Sequence, residues 1–319
     1  MYRIGVDLGG TNIAVGLVND EFQIVSKLSC PTGASRAPEE IIADMAKLCN
    51  KVCAINSLEL SDIASIGIAS PGIAETYSGK VRYANNLPFR DFPICKLLSE
   101  HTGVADIKVA NDANAAAWGE AVAGAAKGSS NSVMITLGTG VGGGIIIDNK
   151  IYSGFNAAGG ELGHIVIEYN GRRCSCGRRG CWEAYSSATA LIAMTKEKLA
   201  ECEESGRNTV MYELVKKKGK VSGLTAFDAM RLGDAAGKEV VDKYVSYLAC
   251  GITNIINIFQ PEIISLGGGV SNEGNSLIEA LLPIVRKEQY GGGTVKQTTI
   301  RIAKLGNDAG IIGAAALSI

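Results

Sequence analysis

Short apolar runs separated by glycine-rich turns open the chain. Residues 2–8, 13–18 and 22–28 each predict a β-strand, and residues 9–12 (GGTN) predict the turn between the first two. Residues 132–147 repeat the design, because LGTGVGGGI places a glycine- and threonine-containing turn between two apolar strands. Two similar strand–turn–strand segments predict two related halves.

Longer stretches with apolar residues three and four positions apart follow the strands. The stretch 38–58 places Ile41, Met45 and Val52 on one face, and the longest such stretch, 235–259, is closed by Pro261. Further strands are predicted at 63–69, 107–110, 263–266 and 299–303, and further helices at 92–101, 115–126, 185–202, 211–217, 225–232, 277–287 and 309–318. This alternation predicts an α/β fold.

Composition excludes several classes of partner. The chain has 319 residues, a net charge of −1 and 46% hydrophobic residues, which suits a globular protein of about two domains with no nucleic-acid or membrane partner. Met1 leads directly into the first strand, so we expect no export signal. The nine cysteines are then expected to remain reduced in the cytoplasm.

The densest group of candidate ligands lies between residues 161 and 183. His164, Cys174, Cys176 and Cys181 form the ligand set of a closed, structural zinc site, and Glu161 and Glu183 flank it. The spacing is not that of a nucleic-acid-binding finger. Unrelated thiols beside a core histidine, or an iron–sulfur cluster, are the alternative interpretations.

The glycine turns are candidate phosphate sites. Glycine lets backbone N–H groups approach phosphate oxygens closely, and Asp7 at the end of the first strand could face Mg²⁺ through water. The chain lacks the GK[ST] of a P-loop, and its GxGxxG at 138–143 leads into a strand, which excludes a Rossmann turn.

A polar run at the end of a predicted strand is a second candidate site. Asn111 and Asp112 follow the strand 107–110 and open a helix, where open α/β sheets bind ligands. Asp112 could act as a general base toward a substrate hydroxyl, or it could only cap the helix.

The ordered motifs DLGGT, NDANAAAWGE, LGTGVGGGI, GGELGH, CSCGRRGCWE and LGGGV resemble the ROK family of sugar kinases and repressors. The resemblance covers essentially the whole chain. It implies an actin-like ATPase (ribonuclease H-like) fold with a ligand cleft between two lobes. The expected lobes are residues 1–111, joined by the C-terminal helix 308–319, and residues 112–307, which include the zinc-binding loop 161–183.

The resemblance also implies a role for each matching residue. Asp112 is the expected catalytic base of an ATP-dependent hexose 6-kinase, with glucose as the expected sugar. The sugar ligands would be Gly72, Asn86, Asn111, Asp112, Glu161, His164 and Glu183. The ATP and Mg²⁺ site would comprise Asp7, Gly9, Gly10, Thr11, Asn12, Gly138, Thr139 and Gly268. The structural Zn²⁺ ligands would be His164, Cys174, Cys176 and Cys181.

Three alternatives to a glucokinase remain at this point. The same fold could act on N-acetylmannosamine, N-acetylglucosamine or fructose. A sugar-sensing regulator would transfer no phosphate, but the repressors carry a DNA-binding segment ahead of DLGGT, and only six residues precede Asp7 here. A small ATPase with an iron–sulfur cluster is the third. The resemblance further implies a homodimer or homotetramer.

Overall fold

Two five-stranded sheets of the same design organise the protein. A computed structural model describes all 319 residues. The first sheet has the order β3-β2-β1-β4-β8 and the second the order β11-β10-β9-β12-β13. The strands are β1 Tyr2–Leu8, β2 Asn12–Val18, β3 Ile24–Pro31, β4 Ile63–Ser70, β8 Ile107–Asn111, β9 Ser132–Leu137, β10 Val141–Ile147, β11 Lys150–Tyr152, β12 Ile263–Gly267 and β13 Thr299–Ile302.

The register shows how the repeated design works. In the first sheet β1 pairs antiparallel with β2, with Asp7 opposite Ala14, and parallel with β4, with Asp7 beside Ala69. Strands β4 and β8 are also parallel, so β1, β4 and β8 end at the same edge of the sheet. In the second sheet β12 and β13 are parallel in the same way. The predicted pair of related halves is therefore confirmed at the level of strand order.

Ten helices accompany the sheets. They are α1 Pro38–Ile55, α2 Ile94–Thr102, α3 Asp112–Val122, α4 Glu183–Ser186, α5 Ala188–Ser205, α6 Met211–Lys218, α7 Thr225–Arg231, α8 Ala235–Phe259, α9 Asn275–Glu288 and α10 Ala309–Ala315. None combines the length and apolar character needed to cross a membrane.

Several predicted boundaries were wrong. The helix expected at 185–202 is two helices, because Ser187 is extended and its side chain caps α5 by accepting the N–H of Ala190. Helix α3 begins at Asp112 and not at 115, and the third strand begins at Ile24 because Phe22 has a positive φ of 58°. The sequence did not predict the three-stranded sheet, which consists of β5 Ile73–Glu75, β6 Lys80–Tyr83 and β7 Arg90–Phe92.

Packing divides the chain into two compact units. The first comprises Met1–Met134, Gly143–Gly160 and Ala303–Ile319, and the second Ile135–Gly142 and Glu161–Ile302. Helix α10 lies in the first unit, where a methyl group at Gly5 would meet the Ile311 carbonyl oxygen at 1.9 Å. Helix α3 packs there too, so these units do not follow the expected lobe boundary at residue 111, which stays a prediction.

Candidate functional site

A buried threonine holds the first glycine turn in place. The Thr32 hydroxyl donates to the carbonyl oxygen of Gly9 at 2.7 Å, and the Thr32 N–H donates to that of Thr11 at 2.8 Å. Thr32 is fully buried, and Arg36 donates to its carbonyl oxygen at 2.7 Å. Because these bonds occupy carbonyl oxygens of the turn, they fix its backbone. Thr11 and Asn12 remain exposed, as a phosphate-binding turn requires.

Asp7 is the penultimate residue of β1, the strand that leads into this turn. Burial and, secondarily, repulsion by the Asp112 carboxylate raise the pKa of Asp7 to about 6. Two carboxylates that repel each other are a suitable pair for a cation, which removes the repulsion. The first unit therefore offers an acidic position beside a candidate phosphate turn.

Asn111, and not Asp112, caps helix α3. The Asn111 side-chain oxygen accepts the N–H groups of Ala113 and Asn114 at 3.0 and 3.2 Å. Its amide nitrogen donates to the carbonyl oxygen of Gly72 at 3.0 Å. Gly72 has a φ of 86°, and a methyl group there would lie 2.0 Å from the Tyr83 carbonyl oxygen, so only glycine fits. Two predicted sugar ligands are thus bonded to each other.

Asp112 is the first residue of α3. One carboxylate oxygen accepts the N–H of Ala113 at 2.8 Å, and the side chain reaches solvent. The surrounding protein nevertheless removes much of its hydration, which raises its pKa. A carboxylate at a strand end with a raised pKa is suited to accept a hydroxyl proton.

Asn86 lies against the first glycine turn. A methyl group added to Gly10 would contact the Asn86 Cβ at 3.1 Å, and Asn86 is exposed. The first unit thus contains seven predicted site positions besides Asp112 and Asn111. They are Asp7, Gly9, Gly10, Thr11, Asn12, Gly72 and Asn86.

The second glycine turn is attached to the start of helix α5. The carbonyl oxygen of Gly138 accepts the N–H of Ala188 at 2.8 Å, and that of Thr139 accepts the Thr189 hydroxyl at 2.8 Å. The third turn packs beside it, because Gly268, with a φ of 84°, leaves no room for a methyl group against the Leu137 backbone at 2.6 Å. These three predicted nucleotide positions occur together in the second unit.

The four predicted zinc ligands converge. Their ligand atoms all lie within 4.8 Å of one another. The Cys174 Sγ is 3.7 Å from the His164 Nδ1, and the Cys176 Sγ is 3.7 Å from the Cys181 Sγ. Zinc–sulfur bonds of about 2.3 Å place tetrahedral sulfur atoms about 3.8 Å apart, so these four side chains fit a zinc ion.

Hydrogen bonds from the backbone and from the Arg178 side chain also hold this loop together. The N–H of Trp182 donates to the carbonyl oxygen of Ile165 at 2.8 Å, and Arg178 donates to that of His164 at 3.1 Å. Trp182 is fully buried, and its indole N–H donates to the Tyr247 carbonyl oxygen at 3.1 Å. The buried Trp182 ring therefore anchors the chain between Cys181 and Glu183.

Glu161 and Glu183 differ in their surroundings. Glu161 is exposed at the start of a short 3-10 turn that contains His164. The Glu183 carboxylate accepts the N–H of Val141 and the hydroxyl of Ser175, both at 3.1 Å. Its Oε1 atom accepts the Cys174 thiol as well, at 3.7 Å. Glu183 is therefore oriented by the protein, and its Oε2 atom retains a lone pair for a further donor.

A cavity of about 520 Å³ adjoins the second glycine turn. Thr139, Gly140 and Glu183 line it together with Arg173 and Ser175, which the sequence interpretation did not select. Arg173 is exposed, so it supplies positive charge at a cavity that borders a predicted phosphate turn. The only sequence signal for it was its place in the basic run around the cysteines.

Comparisons with known proteins agree with these observations. Residues 3–319 match the family described as the ROK family. A glucokinase of Halalkalibacterium halodurans is 39% identical over 98% of this chain and 93% of its own length.

Two solved structures are similar along nearly the whole chain. A ROK family glucokinase from Streptomyces griseus, in complex with glucose and AMPPNP, has a TM-score of 0.77 at 32% identity and covers 99% of both chains. A ROK hexokinase from Thermus thermophilus has a TM-score of 0.79 at 31% identity, covering 99% of this chain and 97% of that one. The predicted α/β, actin-like ATPase fold is confirmed.

Proposed function

The chain belongs to the ROK family, and from that premise we propose that it is a glucokinase. It transfers the γ-phosphoryl group of ATP to the 6-hydroxyl of glucose. The observation that carries the proposal is Asp112, a solvent-accessible carboxylate that directly follows strand β8 and has a raised pKa, in a chain similar to named glucokinases.

Asp112 acts as the general base. The 6-hydroxyl oxygen attacks the γ-phosphorus, the new oxygen–phosphorus bond forms, and the bond to the β,γ-bridging oxygen breaks so that ADP leaves. The hydroxyl proton passes to the Asp112 carboxylate. The raised pKa supports this step because a carboxylate of higher pKa binds the proton more strongly.

The sugar is held by fixed polar groups. We assign its hydroxyl contacts to Asn111, Glu161, His164 and Glu183, with Gly72 and Asn86 nearby. Glu183 is pre-oriented by Val141 and Ser175, which reduces the entropy lost on binding. His164 presents Nδ1 to Cys174, which leaves its second ring nitrogen for a sugar hydroxyl. A structural Zn²⁺ held by His164, Cys174, Cys176 and Cys181 would fix this loop.

The nucleotide is held mainly by backbone groups. The Gly9 and Gly138 N–H groups are bonded within their own turns, to the carbonyl oxygens of Asn12 and Gly140. We assign the phosphates to the other N–H groups of the turns at Gly9–Asn12 and at Gly138 and Thr139, and the base or ribose to the backbone at Gly268. Mg²⁺, when bound, neutralises phosphate charge during transfer. Asp7 is the carboxylate that we assign to it, through water, and Arg173 adds charge beside Thr139.

The test is release of ADP by the purified protein with Mg-ATP against glucose, mannose, fructose, N-acetylglucosamine and N-acetylmannosamine. We expect turnover mainly with glucose. A preference for an acetamido sugar or fructose would keep the mechanism and overturn the substrate. Folded protein that binds glucose but turns over no sugar would instead be a sensor.

Assembly and location belong to the same proposal. We propose a homodimer or homotetramer in the cytoplasm that binds neither nucleic acid nor membrane. The net charge of −1 supports the absence of a nucleic-acid or membrane partner. Size-exclusion chromatography with light scattering tests the oligomeric state, since a monomer at micromolar concentration would contradict the proposed assembly.

A further inference from the structure

Asn114 carries a buried side-chain oxygen that has no hydrogen-bond partner. The residue is only 4% exposed, and its Oδ1 atom makes no hydrogen bond. It lies in the first turn of α3, two residues after Asp112. A methyl group on Gly144 of strand β10 would lie 3.1 Å from the Asn114 Cα, so the residue is packed tightly. An unpaired buried acceptor destabilises the protein, so we looked for a donor that could pair with it in another state of the protein.

The unpaired oxygen is adjacent to the segment 153–160 (SGFNAAGG). A methyl group on Gly160 would lie 3.8 Å from the Asn114 Oδ1. The N–H of Gly159 donates to the Ser153 carbonyl oxygen at 2.8 Å, whereas the Gly160 N–H has no partner. An unpaired buried acceptor thus lies beside an unpaired backbone donor. Both groups are in the first packing unit.

The segment has freedom to move toward Asn114. Phe155 is 97% exposed, and the glycines at the second and last positions of the segment have φ values of 73° (Gly154) and 91° (Gly160). The only hydrogen bonds within it are the Ser153–Gly159 bond and a 3.2 Å bond from the Ala158 N–H to the Asn156 side chain. A small backbone shift therefore breaks no helix or strand pairing.

We propose that Asn114 is a positioning residue for sugar binding, whose Oδ1 accepts the N–H of Gly160 in the sugar-bound state. The inference rests on the proposed function, because Gly160 directly precedes Glu161, to which we assign a sugar hydroxyl. The bond fixes the backbone that carries this carboxylate. Asn114 touches no reacting atom, so its effect is on sugar affinity and not on the phosphoryl-transfer step.

The first test is amide hydrogen exchange of the intact wild-type protein with and without glucose. We expect the Gly160 amide to become protected when glucose saturates the protein. The Gly159 amide is the internal control, because it is already bonded to Ser153. A Gly160 amide that exchanges equally fast in both states overturns the proposal.

The second test is Asn114→Leu, which removes the acceptor at nearly constant volume. The free variant should melt at the same or a higher temperature, because a buried unpaired group is gone. The KM for glucose should rise about 3- to 10-fold, the worth of one hydrogen bond, while kcat and the KM for ATP stay within about twofold. Protection of the Gly160 amide by glucose should be lost.

The outcomes separate this inference from the proposed function. An unchanged glucose KM, or equal rises in both KM values with a lower melting temperature, would contradict a positioning role. Wild-type protein that phosphorylates no glucose in the same assay would instead overturn the proposed function. If the variant does not fold, exchange of the wild-type amide decides alone.

Discussion

The side-chain amide of Asn111 donates to the carbonyl oxygen of Gly72, 3.0 Å away and 39 positions earlier in the chain. The other side-chain atom of Asn111 caps helix α3. One residue thus joins the loop after β4 to the start of α3. The N-cap position belongs to Asn111, while the Asp112 carboxylate accepts only the N–H of Ala113.

Replacement of Asp112 by Asn should remove the base and keep the fold. The amide preserves shape at the first helical position but cannot accept the hydroxyl proton. We expect kcat to fall about 10²- to 10⁴-fold with glucose affinity changed less than about threefold. Coupled ADP release and calorimetric glucose titration measure the two quantities. Asp148→Asn, in the exposed turn after β10, is the control, and a kcat within tenfold of wild type would refute the role.

Asp7 should make the free protein less stable as pH rises. Its folded pKa of about 6 exceeds the unfolded value of 3.8, so its favourable contribution is complete below about pH 4 and lost through pH 6. In Asp7→Asn this dependence should disappear, with a gain on the order of 1–3 kcal/mol at pH 8 and loss of Mg²⁺-dependent activity.

Urea denaturation without nucleotide or Mg²⁺, from pH 4.5 to 8, measures the effect of Asp7. The matched control is Asp106→Asn on the exposed surface. The same pH slope in wild type and Asp7→Asn would show that burial of Asp7 has no energetic consequence.

Thr32 should matter for ATP and not for glucose. Thr32→Val keeps the volume but removes the hydroxyl that donates to the Gly9 carbonyl oxygen. Loss of this buried hydrogen bond, which is worth about 1 kcal/mol, should loosen the first glycine turn and raise the KM for ATP about fivefold. Thr32→Ser restores the donor and should restore most of the affinity. Equal changes in both KM values would point to general destabilisation instead.

The cysteine cluster should hold about one zinc ion per chain. Cys176→Ser should lower zinc content, melting temperature and glucose affinity together, because the loop carries His164 and Glu183. Metal analysis, thermal melting and calorimetry measure these three quantities, with Cys30→Ser as the control outside the cluster. Full zinc content and unchanged glucose affinity in Cys176→Ser would disprove a structural metal, and a brown, iron-containing preparation would favour the iron–sulfur alternative.

Gly251 should be required for anchoring the cysteine loop. A methyl group there would lie 2.0 Å from the Trp182 ring. Gly251→Ala should therefore displace the ring and lower the free energy of unfolding by about 1–3 kcal/mol. Gly223→Ala is the matched control, because its added methyl group would have a single neighbour at 4.0 Å. Chemical denaturation measures the free energy of unfolding of both variants. Equal values would show that helix α8 shifts to accommodate the methyl group at little cost.

Strand–turn–strand patterns and ligand types were readable from the sequence because they depend on nearby residues. The apolar patterns predicted the bounds of β1 and α8, and four candidate ligands within eighteen residues predicted a cluster that the structure confirms. The small sheet β5-β6-β7 was missed because its strands are three or four residues long, too short for periodicity to register.

The sequence by itself determined the family, the repeated sheet design and the chemical types at the site, since each is carried by local motifs. Only the tertiary structure decided that Asn111 caps α3, that Thr32 braces the first glycine turn and that the Asn114 oxygen is unpaired beside Gly160. These relationships join residues that are distant in the chain, and they depend on backbone torsion angles and packing. No local pattern encodes them, because a hydrogen bond exists only once the fold has brought its two atoms together.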